Sequence, residues 1–133
     1  MGRKYLLDSN VVIDYMAELY PRKTLTWLNK IINQEIITSV ITKIEVLSYD
    51  PDKGDNYEIL VEFFDAATIL NLTEDVVAKT IEIRQKSRIK LPDAVIAASA
   101  ILNNLALITR NVRDFQKIDD LILINPLSLP DNS

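Results

Sequence analysis

Leu91-Pro92-Asp93-Ala94-Val95-Ile96-Ala97-Ala98-Ser99-Ala100-Ile101-Leu102, followed after Asn103-Asn104 by Leu105-Ala106-Leu107-Ile108-Thr109, is the stretch whose reading decides the fold. Pro92 suits the first position of a helix, where its missing N–H is one that the first turn leaves unpaired anyway. The residues after Asp93 are apolar nearly all round, and a helix of that kind belongs in the interior. Leu105 to Thr109 is a continuous apolar run rather than an alternating one, the pattern of a strand covered on both faces. Together they predict a parallel sheet with helices packed against it.

The flanking sequence repeats the theme. Tyr5-Leu6-Leu7 reads as a short strand that stops at Asp8-Ser9-Asn10, after which Val11, Val12, Tyr15, Met16 and Leu19 recur at helical spacing. Pro21 ends that helix, and Leu25, Leu28 and Ile32, with Trp27 and Ile31, outline a second. Glu35 to Thr38 predicts another strand, and Ser39 to about Tyr49 a helix with Val40, Ile44 and Leu47 inward. Asp50 to Gly54 reads as a loop. Ile59, Leu60, Phe63 and Phe64 mark a further helix, before a strand from Thr68 to Leu72. Thr73 is the expected N-cap of the helix through Ile83, and Glu74 and Asp75 complement its dipole. Leu121 to Ile124 is a last apolar strand, separated from the Leu105 run by a short segment, Asn111 to Lys117. Strands alternating with helices give an α/β sandwich, and in such sheets ligands bind beyond the carboxyl ends of the strands. Asp8, Glu45 and the segment Thr109 to Asp114 all fall there.

Composition bounds the chemistry. A chain of 133 residues that is 48% hydrophobic suits a single domain, 1–133, with a real core. No apolar run approaches the roughly 18 to 20 residues needed to cross a bilayer, and an acid arrives too early for a signal peptide, so a cytoplasmic location away from membranes is expected. The absence of cysteine removes disulfides and thiolate chemistry. The absence of histidine is sharper, because it removes Ser-His-Asp triads and the imidazole ligands that zinc enzymes use. Hydrolysis would therefore have to run on carboxylates, whose hard oxygens suit Mg2+ or Mn2+. A net charge of −4 argues against non-specific coating of nucleic acid but leaves room for a local basic rim.

Each acid also has an ordinary reading. Asp8 is a good helix N-cap. Glu45 matches a capping box with Thr42, although Val40 and Ile41 already look helical and make Ser39 the better cap. Asp93 gains from the helix dipole, and Asn111 and Asp114 suit a turn. Brought together, however, three carboxylates about 6 Å apart at an effective dielectric near 20 repel by roughly 3 kcal/mol per pair. Protons or a divalent cation must then compensate, and Mg2+ or Mn2+ is the economical choice.

Four fragments in register with the expected strands carry a resemblance: Leu6-Leu7-Asp8-Ser9-Asn10-Val11; Ser39 with Thr42-Lys43-Ile44-Glu45; Leu91-Pro92-Asp93-Ala94-Val95-Ile96-Ala97-Ala98; and Leu107 to Phe115. The chain resembles PIN-domain nucleases, most closely the VapC-like toxins of toxin-antitoxin pairs. The resemblance implies a three-layer α/β/α sandwich with a central, mainly parallel sheet of four to five strands. It also implies a Mg2+-dependent endoribonuclease leaving a 5'-phosphate and a 3'-hydroxyl, frequent homodimers, and a cognate antitoxin that blocks the site. The family's first, second and third acids carry over to Asp8, Glu45 and Asp93, as metal ligands and catalytic groups. At the fourth position many members have Asp directly after Thr-Arg, where this chain has Asn111; Asp114 is the nearby acid that would supply the charge. The count of one or two metal ions stays open.

RNA would have to approach this acidic site past cations. Arg84, Lys86, Arg88 and Lys90 lead into Asp93, and Arg110, Arg113 and Lys117 surround the fourth position, a possible phosphate-binding rim. Cations at a helix C-terminus explain Arg84 to Lys90 equally well. Ser9, Asn10, Thr109, Arg110, Arg113, Arg88 and Lys90 are the candidate substrate contacts. Two other functions compete. A phosphohydrolase working through an aspartyl-phosphate, as in haloacid dehalogenases, wants a second Asp two residues after the first, where this chain has Asn10. A non-catalytic RNA- or protein-binding module fits Asn111 and the acidic balance, but not three retained acids.

Overall fold

The first strand, β1 (Tyr5–Leu7), sets the layers of the molecule, because alternation along a strand sends Leu6 to one face and Leu7 to the other. The computed structural model describes residues 2–49 and 55–129. After β1 come α1 (Ser9–Met16), α2 (Arg22–Gln34), β2 (Ile37–Ser39), α3 (Val40–Tyr49), α4 (Asp55–Asp65) and β3 (Thr68–Leu70). The second half contains α5 (Glu74–Lys86), α6 (Leu91–Leu102), β4 (Ala106–Ile108), α7 (Val112–Phe115) and β5 (Leu123–Ile124).

Every ladder is parallel. β4 lies between β1 and β5, with Leu6 opposite Leu107 and Ile108 opposite Ile124, while β2 pairs with β3. The ladders thus form a three-stranded sheet, β1-β4-β5, and a two-stranded one, β2-β3, with β2 packed alongside β1. On one face Leu6 and Leu107 pack with Val76, Ile83, the buried side of α6 and Phe115. On the other, Leu7 and Ile108 pack with Val11, Val12, Leu28, Val46, Phe63 and Phe64. The expected α/β/α sandwich is the observed fold, with five strands.

The stretch that predicted the fold behaves as read. Ala94 to Ala100 are all buried, and β4 is fully enclosed. Four of those helical residues are alanines, whose short side chains let α6 lie close against the sheet. Tertiary contacts shift several boundaries. The strand expected from Glu35 begins at Ile37, because Glu35 closes α2 and pairs with Lys4 at 3.0 Å. Pro92 occupies the second helical position rather than the first, since α6 begins at Leu91. Thr73 stands at the N-cap of α5, but its hydroxyl donates to the Asp75 side chain and caps no backbone N–H.

Two expectations fail outright. Pro21 does not end the first helix: α1 closes at Met16, Leu19 lies exposed beyond it, and Pro21 is the N-cap of α2. Ile44 does not face inward: it is exposed, and Thr42 and Val46 supply the buried side of α3. Apolar residues surround this helix, so their spacing alone does not select a face. Ser39 does cap it, its Oγ accepting the Ile41 N–H at 3.0 Å. The loop expected at Asp50 to Gly54 lies outside the described residues. Among those that are described, no helix is long and apolar enough to cross a membrane.

Candidate active site

Asp8 is the hinge between β1 and α1. Its backbone N–H extends the ladder by donating to the Ile108 carbonyl at 3.0 Å, and its own carbonyl receives the N–H groups of Val11 and Val12. The carboxylate is buried, at 4% exposure, yet well supplied with donors. Oδ1 accepts the Ser9 N–H at 2.8 Å, and Oδ2 accepts the Thr109 hydroxyl at 2.7 Å and the Asn10 amide at 3.2 Å. The N-cap reading therefore holds on Oδ1, while Oδ2 is held by side chains from α1 and the end of β4. A carboxylate offers about four acceptor positions, so one stays open for a further ligand. Burial raises the pKa of Asp8, the Thr109 and Ser9 hydrogen bonds oppose the rise, and Glu45 adds to it.

Thr109 ties the carboxyl end of β4 to that of β1. While its hydroxyl donates to Asp8, it accepts the Asn111 N–H at 3.0 Å and lies 3.4 Å from the Asn10 amide nitrogen. Asn111 turns its side-chain amide to Asp114 Oδ2 at 2.9 Å rather than capping α7. The two candidates for the fourth position are thus a hydrogen-bonded pair: the acid that follows by three residues is held by the amide.

Glu45 lies inside α3, beyond the reach of a capping box, because Thr42 is a buried interior residue of the helix. Its Oε1 accepts the Ser9 hydroxyl at 2.6 Å, and that hydroxyl also lies 3.3 Å from Thr42 Oγ1. Ser9 consequently links the first acid's loop to the second acid.

Asp93, in the first turn of α6, joins the set electrostatically. Its pKa is pushed up to about 6, first by burial and then by the charges of Asp8, Glu45 and Asp114, with Lys90 opposing. Three acids from distant parts of the chain therefore act on Asp93, and Glu45 also acts on Asp8. Among the described residues no group of three or more acidic side chains is drawn tightly enough to hold a metal ion as it stands. The carboxylates are within electrostatic reach without forming a closed cage. Their donor set is all oxygen, which fits a hard divalent cation, and their repulsion is what such a cation relieves.

A PIN-domain family model matches residues 5–121, which includes every residue of this cluster. The chain belongs to the PIN domain family. Among solved structures it resembles a chain of a toxin–antitoxin complex from Klebsiella pneumoniae, at 28% identity and a TM-score of 0.75, covering 95% of this chain and 100% of that one. A chain of VapBC2 from Rickettsia felis, bound to a promoter DNA fragment, gives 25% identity and a TM-score of 0.78 over 91% and 97% of the two chains. FitAcB from Neisseria gonorrhoeae gives 27% and 0.76 over 94% and 99%. No curated protein sequence matches.

This PIN domain distributes its cations unevenly around the acids. The charge of Lys90 acts on Asp93. Arg88 is exposed in an open groove between α5 and α6 that also holds Arg84, Ile81 and Leu91, and Arg84 donates to the Ile89 carbonyl. Arg113 is exposed on α7. Arg110 differs, since its Nε contacts Asp14 Oδ2 at 2.6 Å. Asp14 has no place in the sequence reading, and Thr42 enters it only as a cap and as part of a motif. The available signal for Asp14 was its position four residues after Asn10, on the same side of α1.

Proposed function

We propose that this PIN domain is a Mg2+- or Mn2+-dependent endoribonuclease and the toxin of a toxin–antitoxin pair, acting in the cytoplasm. The observation that carries the reading is Asp93, whose pKa is pushed up to about 6 by burial and then by the charges of Asp8, Glu45 and Asp114. Carboxylates placed to act on one another repel when ionised, and a divalent cation offsets that repulsion.

Asp8 and Asp93 would hold the ion, directly or through waters, with Glu45, Asn111 and Asp114 orienting those waters. When bound, the ion supplies an acidified water as nucleophile and neutralises charge on the phosphoryl oxygens. Thr109, Asn10 and the Ser9 N–H favour the charged form of Asp8 by donating to both of its oxygens, against the burial that raises its pKa. The Ser9 hydroxyl holds Glu45 by donating to its Oε1. Lys90, Arg88 and Arg113 steer the RNA backbone towards the acids, a sequence-independent attraction.

A cognate antitoxin is the proposed protein partner, in keeping with the toxin–antitoxin complexes among the structural neighbours. An apolar groove of about 340 Å³ between α1, α3 and α4, lined by Ile13, Met16, Ala17, Val46, Asn56, Ile59 and Leu60, suits its apolar side chains. A homodimer, also proposed, would cover exposed apolar residues such as Ile81 and Leu91.

The test is cleavage of bulk RNA with and without Mg2+ by wild type, Asp8→Asn and Asp93→Asn. Wild type should cut only with the ion, and each variant should lose at least about 100-fold, as befits removal of a charged group that acts in the transition state. RNA binding without cutting by all three would favour the non-catalytic module instead.

A further inference from the structure

Two residues of α1 grip the same residue of the distant β4 turn. Asn10 and Asp14 are four apart, one above the other on the helix. Asn10 Oδ1 accepts the backbone N–H of Arg110 at 3.2 Å, and Asp14 Oδ2 contacts Arg110 Nε at 2.6 Å. The Asp14 side chain is 13% exposed and that of Arg110 45%, so the acid is the more enclosed partner. Tyr20, buried beside them, is kept neutral by burial and by the charge of Asp14.

The turn held in this way sends successive side chains in different directions. Thr109 reaches Asp8, Arg110 reaches back to Asp14, and Asn111 reaches Asp114. Fixing residue 110 by both its backbone and its side chain consequently fixes the two residues that address the acids. We infer that Asp14 is a positioning residue for the acidic site, acting through Arg110, and that Arg110 serves this anchor rather than an RNA phosphate. The inference rests on the nuclease reading above.

Two measurements on Asp14→Asn, Arg110→Gln and the double variant test it: kcat and KM on a labelled single-stranded RNA with Mg2+, and Mn2+ affinity by calorimetry. Misplacement of catalytic groups by about 1 Å can lower the rate on the order of 100-fold. Each single variant should therefore lose about 10- to 100-fold in kcat, with KM within about twofold and Mn2+ affinity reduced. The double variant should be no worse than the worse single one, because both act through one contact. Asp14→Glu, which keeps the charge, should recover part of the loss. The double variant removes both charges, so it remains informative if an unpaired buried charge unfolds a single variant.

If Arg110→Gln raises KM while Asp14→Asn matches wild type, Arg110 is a phosphate contact and the inference is wrong. It is equally wrong if the double variant retains wild-type kcat and Mn2+ affinity. Wild type that neither cuts RNA nor binds Mn2+ overturns the nuclease reading itself, a result distinct from either of these.

Discussion

Replacing Asp93 by Asn should make the metal-free protein more stable at neutral pH, although the residue lies in the proposed machinery. The folded state raises its pKa from 3.8 to about 6. At 1.36 kcal/mol per unit, a rise of about 2 units corresponds to roughly 3 kcal/mol of penalty on the ionised form. The residue is only half-buried, so solvent screening reduces this to about 1–1.5 kcal/mol. Loss of an acid from the first turn of α6 opposes the gain by about 0.3–1 kcal/mol, which leaves a net gain of about 0–1.2 kcal/mol, centred on about 0.6. For a domain of this size the central value is roughly 2–3 °C in Tm.

The sign with pH follows from linkage. A carboxyl whose folded pKa is raised binds more protons in the folded state, so its penalty is absent below the unfolded value of 3.8, grows as pH rises towards about 6, and is complete above it. Thermal melts of wild type and Asp93→Asn in chelator, at pH 4 and at pH 7.5, should therefore show the gain at the higher pH only. Saturating Mg2+ should raise the wild-type Tm and narrow the difference. A variant no more stable than wild type at pH 7.5, or one whose gain is the same at both pH values, would refute the reasoning that burial and the neighbouring acids penalise the ionised form of Asp93.

Two further outcomes follow from packing and from the apolar groove. Phe115 is fully buried on the four-residue α7 that also carries Asp114, so Phe115→Ala should lower stability by about 3–5 kcal/mol in urea titrations and impair Mg2+ binding with it. Ile59, exposed at 49% in the groove, should tolerate Asp with a change in stability within about 0.5 kcal/mol and with RNA cleavage intact. Losing its burial against a partner, about 1.5–3 kcal/mol, should weaken neutralisation by the co-expressed antitoxin roughly 10- to 100-fold, and unchanged neutralisation would remove the groove from that role.

Sequence made the enclosed elements most legible, because burial on both faces leaves an uninterrupted apolar signature at β4 and α6. It also located the acids, since a strand end or a first helical turn is a recognisable place for Asp8 or Asp93. Less was visible wherever the outcome depended on a partner far along the chain. Ile44 and Val46 are equally apolar, and only the packing of α3 turns the second inward. Asp14 is an unremarkable acid until Arg110 is placed against it, and the sequence between them contains nothing that announces the pair. Asn111 was read as the place where a charge is missing, whereas its amide holds the acid of Asp114.

The ladder between β1 and β4 has a consequence for synthesis. Asp8 depends on Thr109, 101 residues later, and β4 is itself flanked by the still later β5. At the usual 5–20 residues per second, the ribosome needs roughly 5–20 s to travel from the first acid to its hydrogen-bond donor. Until Thr109 has emerged, the hydrogen bond that orients Asp8 cannot form, so the acidic site is completed only late in synthesis.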